Sequence, residues 1–236
     1  LQEDLEKLSF RPLKVNRDNT LRDKEIAEKV FKNILPVRIR GKYWWSVGMT
    51  SDIIHLLGME EFMMFMYDDP DGVKRLMDWF SRECMHFIQW FEDQGLLSDT
   101  NTNDYVGSGG IAYTKELPKR NNEQKVFLSD IWGHCESQET VGISPEMFGE
   151  FIFPYQIPLI EKFGLSCYGC CEPVELRLPY ICKATNLRRI SVSAWADEHA
   201  CAEAFGKNYI YSRKPNPAHV SIGFDEKEIR NSIRNT

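Results

Sequence analysis

The strongest constraint on the fold lies in the second half of the chain, where strand-like and helix-like segments alternate at short, regular intervals. Residues 165–169 read as a strand and 173–184 as a helix. Residues 187–193 read as a strand and 197–205 as a helix closed by Gly206. Residues 209–213 read as a strand and 225–234 as a helix. This alternation is the signature of βα units, in which each helix returns the chain so that successive strands lie parallel. Residues 187–193 alternate only partly between apolar and polar side chains, as expected of a strand covered on both faces.

The first half fits the same scheme with longer helices. Residues 36–40 read as a strand. Val73, Leu76, Met77, Phe80, Cys84, Phe87, Ile88 and Phe91 recur at helical spacing and predict a long amphipathic helix that stops near Gly95. Residues 96–99 and 126–131 read as short strands. Ser144-Pro145-Glu146 starts a helix, with a serine cap, a proline in the first turn and an acid favoured by the helix dipole. That helix is expected to run to about Phe163, kinked or broken at Pro154 and Pro158. The count comes to about six strands, each followed by a helix-bearing connection. No G-x-G-x-x-G follows a strand, so a (β/α)8 barrel is favoured over an open doubly wound sheet. The expectation is one domain over residues 1–236, a partial α/β barrel with units missing at both ends. Leu1, in a charged run, and Asn235-Thr236, inside a running helix, both read as cuts.

Composition narrows the function classes. Acidic residues outnumber basic ones, 35 to 29, for a net charge of −6, which argues against a general nucleic-acid binder. Apolar runs such as Phe62-Met63-Met64-Phe65-Met66 fall far short of the ~20 residues that cross a bilayer, so no membrane partner is expected. The seven cysteines are odd in number and unlike a disulfide scaffold in spacing, which points to reduced thiols and a cytoplasmic protein. Cys84, on an apolar helix face, reads as core.

A parallel α/β barrel carries its chemistry at the C-terminal ends of its strands. That rule selects Asp130, Trp132, His134, Cys135 and Glu136 near one strand end, and Tyr168, Cys170, Cys171 and Glu172 at the next. Ser193, Trp195 and Asp197 follow a third strand, and Lys214, Asn216 and His219 a fourth. Tyr168-Gly169-Cys170-Cys171-Glu172 concentrates the most chemistry, because thiolates and carboxylates bind zinc and a catalytic zinc keeps one position open. His134, Cys135 and Glu136 can supply further ligands. The competing reading is small residues packed under a loop, since adjacent cysteines on an extended chain point in opposite directions. His134 reads equally as a ligand or as a hydrogen-bonded structural residue. Asn101, Asn103, Asp104 and Tyr105 lead into Gly107-Ser108-Gly109-Gly110, which suits either an anion cradle or a flexible lid but not a P-loop. Trp44-Trp45 suits a pocket wall or core packing. Met59, Met63, Met64 and Met66 suit a core or a docking face.

Ile143-Ser144-Pro145-Glu146-Met147-Phe148, followed by Phe153-Pro154-Tyr155 and a strand ending in a cysteine motif, resembles the uroporphyrinogen decarboxylase superfamily. Trp132-Gly133 with Glu136-Ser137-Gln138, the Tyr168-to-Pro173 motif, Lys214-Pro215-Asn216-Pro217-Ala218 and the Tyr105-to-Gly110 segment are similar to a subgroup of uncharacterised or corrinoid-linked methyltransferase proteins. The resemblance covers nearly the whole chain and implies an α/β barrel, with the first barrel strands and the last unit absent here. It also implies a zinc held by His-x-Cys and a later cysteine. The matching triplet is Tyr168-Gly169-Cys170, with tyrosine in the histidine position, and no cysteine follows Cys201. A replacement set of Cys170, Glu172 and His134 or Glu136 is therefore expected.

On this resemblance the chain is a zinc-assisted methyltransferase. It would move a methyl group between a small methylated donor and the corrinoid of a partner protein. Asp130 and Glu136 would be catalytic, and Trp132, Asn101, Tyr168 and Lys214 would form the substrate pocket. One alternative is uroporphyrinogen decarboxylase itself, a carboxy-lyase of porphyrin biosynthesis, with Asp130 steadying a protonated pyrrole. The other is a non-catalytic corrinoid- or tetrapyrrole-binding module.

Overall fold

The alternating second half builds one parallel sheet. A computed structural model describes residues 2–120 and 124–234. The first half is helical: α1 (Gln2–Leu5), α2 (Arg17–Val30), α3 (Thr50–Leu57), α4 (Met59–Asp68) and α5 (Pro70–Asp93). A short antiparallel hairpin follows, β1 (Tyr105–Val106) and β2 (Gly110–Ile111). Then come β3 (Trp132–Cys135), α6 (Pro145–Met147), a π-helical turn (Phe148–Ile152), α7 (Phe153–Ile160), β4 (Leu165–Tyr168) and α8 (Leu178–Ile181). The chain continues through β5 (Leu187–Val192), α9 (Glu198–Phe205), β6 (Ile210–Arg213), α10 (Ala218–Ser221) and α11 (Glu226–Arg234). Strands β3, β4, β5 and β6 lie side by side in sequence order, parallel throughout.

Register assigns each strand residue to a face. Cys135, Tyr168, Ile190 and Tyr211 align across the sheet. On that face Tyr168 meets the rings of Phe148 and Phe153, and Tyr211 meets Phe205 of α9. His134, Cys167 and Arg189 align on the other face. There Trp132 and Cys167 form a second apolar cluster with Val106, Ala112 and Leu117, around the β1–β2 hairpin. Coverage on both faces explains why β5 shows so little polar alternation.

Local chemistry sets the helix boundaries. Asp69 caps α5 by accepting from the Gly72 N–H at 2.9 Å, and Pro70 fills the first turn, where no N–H is needed. Val73, Leu76, Met77 and Ile88 bury the stripe expected of this helix, and Gly95 ends it with φ +65°. Glu83, buried on the same helix, is held by the Arg11 guanidinium at 2.5 and 2.7 Å. Ser144 caps α6 at the Met147 N–H. Pro154 has no N–H to donate, and the helix widens into its π turn immediately before, closed by Phe153 N–H to Phe148 O. It then continues through Pro158 to Ile160.

Several expected elements take other forms. Residues 36–40 are not a strand: Pro36 lacks a donor and Ile39 is exposed, so the segment has no apolar face to bury. Pairing there shrinks to one parallel bridge between Lys42 and Leu97, which is also all that remains of the expected strand at 96–99. Residues 126–131 hold a 3-10 turn, Leu128–Asp130, because the Asp130 carboxylate accepts the Phe127 N–H at 3.0 Å and the Asp130 N–H returns to Phe127 O. The strand starts only at Trp132. The helix expected at 173–184 divides into a 3-10 turn, Glu175–Arg177, and α8, with Pro179 at the junction. Four parallel strands and a hairpin thus replace the six expected. Part of the loop-like segment 121–125, together with Leu1, Asn235 and Thr236, lies outside the described residues. Among the described residues no helix is long and apolar enough to cross a membrane.

Leu76 is fully buried in the main core. Leu76→Ala should lower the unfolding free energy in urea by about 2–5 kcal/mol. Ile222→Ala, at an 87% exposed position, should stay within about 0.5 kcal/mol of the parent.

Candidate functional site

Each parallel strand delivers one residue to the carboxyl end of the sheet: Glu136 after β3, Cys170 after β4, Ser193 after β5 and Lys214 after β6. The Lys214 N–H donates to Val192 O at 2.8 Å, which fixes where the side chain sets out. Its ammonium donates to Cys170 O at 2.6 Å, stands 3.8 Å from Cys170 Sγ and donates to Ser108 Oγ. Ser108 in turn donates to Cys170 Sγ at 3.2 Å.

Ser108 sits at the tip of the β1–β2 hairpin, between Gly107 and Gly109 at φ +61° and +104°, a conformation that L side chains rarely adopt. Arg189 supports the hairpin from the sheet. Its guanidinium donates to Ile111 O at 2.7 Å and lies 4.9 Å from the centre of the Trp132 ring. A Cβ on Gly110 would fall 1.8 Å from its Nη1, so a larger residue there would push the guanidinium aside.

A buried polar layer supports the mouth. The Glu172 carboxylate accepts the Ser137 N–H at 2.9 Å with one oxygen and the Cys170 N–H at 2.7 Å with the other, stapling the β4 exit to the β3 exit. Gln156 donates to Gly48 O at 2.6 Å and to Ser137 Oγ at 2.9 Å. The buried Arg177 reaches Ser137 O at 3.3 Å and Thr140 O. Gly169, at φ +94°, donates to Cys135 O at 2.9 Å and turns the chain out of β4.

Two titratable groups are displaced by this setting. Burial raises the Glu136 carboxyl to about 7; Glu139 and Glu172 add to the rise, while the Gln138 N–H and Lys214 oppose it. A carboxyl that titrates near neutrality is suited to giving and taking a proton. Burial also pushes His134 down to about 4, so its ring is neutral. Its Nε2–H donates to Gly169 O at 3.2 Å, and its Nδ1 has no hydrogen-bond partner among the described residues. The partly exposed Trp44 ring lies 6.0 Å from His134 and donates to Gly107 O, while Trp45 packs in the core.

Four expected site residues do other work. Asp130 precedes β3, so it lies at the opposite end of the sheet from the mouth, ion-paired with Arg120 at 3.0 and 3.1 Å. Trp132 opens β3 and is buried, donating to Ala112 O at 2.8 Å. Asn101 accepts the Thr114 N–H and donates to Leu117 O, tying the stretch after the hairpin in place. Tyr168 alternates onto the helix face, where its hydroxyl meets Ser137 Oγ at 2.9 Å and Gln156 at 3.3 Å. Sequence reasoning passed over Gln156, Arg177 and Arg189, and reached Ser108 only as part of its glycine-rich run. Arg189, a charge inside an apolar strand, and Gln156, an amide inside Phe153-Pro154-Tyr155-Gln156-Ile157-Pro158, were the readable signals.

Cys170, Glu172 and His134, the expected zinc ligands, do not converge on one point among the described residues. Both Glu172 oxygens accept backbone N–H groups, and the Cys170 sulfur faces an ammonium, which repels a metal cation. Among the described residues no three His, Cys, Asp or Glu side chains stand together as metal ligands. Comparison with protein-family models, curated proteins and solved structures returned no match.

The raised Glu136 carboxyl has a thermodynamic consequence. Its stabilising contribution is complete below its ordinary value of 4.5 and is lost as pH rises through about 7. Glu136→Gln should therefore gain stability over the parent between pH 5 and pH 8, by up to about 3 kcal/mol. Urea unfolding at both pH values measures this, and a pH-independent difference contradicts it.

Proposed function

We propose that the chain is an arc of an α/β barrel of the uroporphyrinogen decarboxylase superfamily, acting in methyl transfer between a small methylated substrate and the corrinoid of a partner protein. A sequence-ordered parallel sheet with helices packed on one face supports the barrel reading. One observation carries the functional reading: Lys214, Ser108 and Cys170, from three separate segments, meet at the carboxyl end of the sheet, with Glu136 following the neighbouring strand.

The residues divide the work by their chemistry. The Lys214 ammonium holds an anionic or electron-rich group of the substrate. Glu136, titrating near neutrality, gives a proton to the heteroatom that the methyl group leaves and recovers it in the reverse direction. Trp44 and the hairpin tip form one wall and limit water. The corrinoid is a substrate brought by the partner, and it takes up the methyl group. No zinc enters this scheme, because the donor set does not fit one. The decarboxylase alternative leaned on Asp130, which is bound to Arg120 at the far end of β3.

Methyl transfer to a corrinoid protein, assayed over methoxylated aromatics, methylamines and methyl thioethers, tests the reading. Lys214→Met should lower kcat/KM by about 10²-fold or more, and Glu136→Gln should remove the ionisation near pH 7 from the rate profile. A zinc chelator should leave the rate unchanged. No transfer with any donor, or full activity in Lys214→Met, overturns the proposal.

A further inference from the structure

We infer that Cys170 and Cys171 form an adjacent-dithiol site that undergoes exchange with low-molecular-weight disulfides, with Cys170 as the attacking thiol and Cys171 as the resolving one. The two sulfurs lie 3.7 Å apart at the β4 exit. Closing to a disulfide bond of ~2.05 Å requires the peptide between the two Cα atoms, ~3.8 Å apart and closer than in most disulfides, to rearrange as the sulfurs approach. The segment is a bend outside the sheet ladder, so the rearrangement leaves strand pairing intact and acts instead on the Cys170 N–H bond to Glu172.

The surroundings of the two sulfurs differ in the way exchange requires. Cys170 is half-buried, with the Lys214 ammonium 3.8 Å and the Ser108 hydroxyl 3.2 Å from its sulfur, both able to steady negative charge there. Cys171 is exposed, so an incoming disulfide can reach the pair. Cys135, Cys167 and Cys201 are buried.

The exchange balances in two steps. The Cys170 thiolate attacks one sulfur of the small disulfide, breaking its S–S bond and releasing one thiolate. The deprotonated Cys171 sulfur then attacks Cys170 Sγ, forming the Cys170–Cys171 bond and releasing the second thiolate. The two protons lost by the cysteines end on the two released thiols. The protein is oxidised by two electrons and the small disulfide is reduced by two. Oxidation removes the thiol that Ser108 and Lys214 contact, and so changes the hairpin's seat. The inference needs no methyl transfer and stands apart from the functional proposal.

The test uses the full chain treated with glutathione disulfide, quenched by alkylation and mapped by mass spectrometry. The parent should lose two hydrogens at the peptide holding Cys170 and Cys171, with recovery after dithiothreitol. Cys171→Ser should instead accumulate a glutathione adduct on Cys170, and Lys214→Met should slow adduct formation about tenfold. Circular dichroism checks that each variant keeps the parent fold. A parent that holds a lasting adduct without the Cys170–Cys171 link, or a folded Cys171→Ser protein that stays unmodified at Cys170, overturns the inference.

Discussion

A single ammonium ties the working end of this molecule together. Lys214 leaves β6 at a fixed point and reaches Cys170 on the β4 exit and Ser108 on the hairpin tip. A carbonyl, a hydroxyl and a sulfur from two distant segments share one cation. Each such charge-assisted bond is worth more than a neutral one in a partly buried setting. Lys214 works with Arg189, which holds Ile111, and Trp44, which holds Gly107, to seat the hairpin against the strand ends.

The support beneath that contact is polar and buried, which gives it a definite geometry. Glu172 fixes the backbone on either side of the mouth through two N–H groups, and Gln156 and Arg177 fill the carbonyls around Ser137. Satisfied buried networks are rigid because any shift strands a polar group without water. Glu136 stands beside this network but is burdened by burial and by two neighbouring carboxylates, so its charge is easily given up. Rigid support and one labile proton are what proton-transfer chemistry at a pocket needs.

Much of this was legible in the sequence wherever one strong local signal decided the structure. The apolar stripe and the stop near Gly95 specified α5, and Gly206 closed α9 as expected. The strand-end rule picked out Glu136, Cys170 and Lys214 because β4 and β6 ended where their patterns ended. It misplaced Asp130 and Trp132 because a side-chain turn at Asp130 delayed β3, and a shift of a few residues exchanges one end of a short strand for the other. Tyr168 was lost to alternation, since its strand position faces the helices. Ser108 was visible only as part of a glycine-rich run. Its partner lies 106 residues away, and no local pattern encodes that contact.

The convergence of hairpin and strand ends is tested most directly by a double-mutant cycle. Ser108→Ala, Lys214→Met and the double variant are compared with the parent by urea unfolding. A shared contact predicts non-additive losses, with a coupling of about 0.5–3 kcal/mol. Losses that simply add would contradict the account, because the two side chains would then act independently.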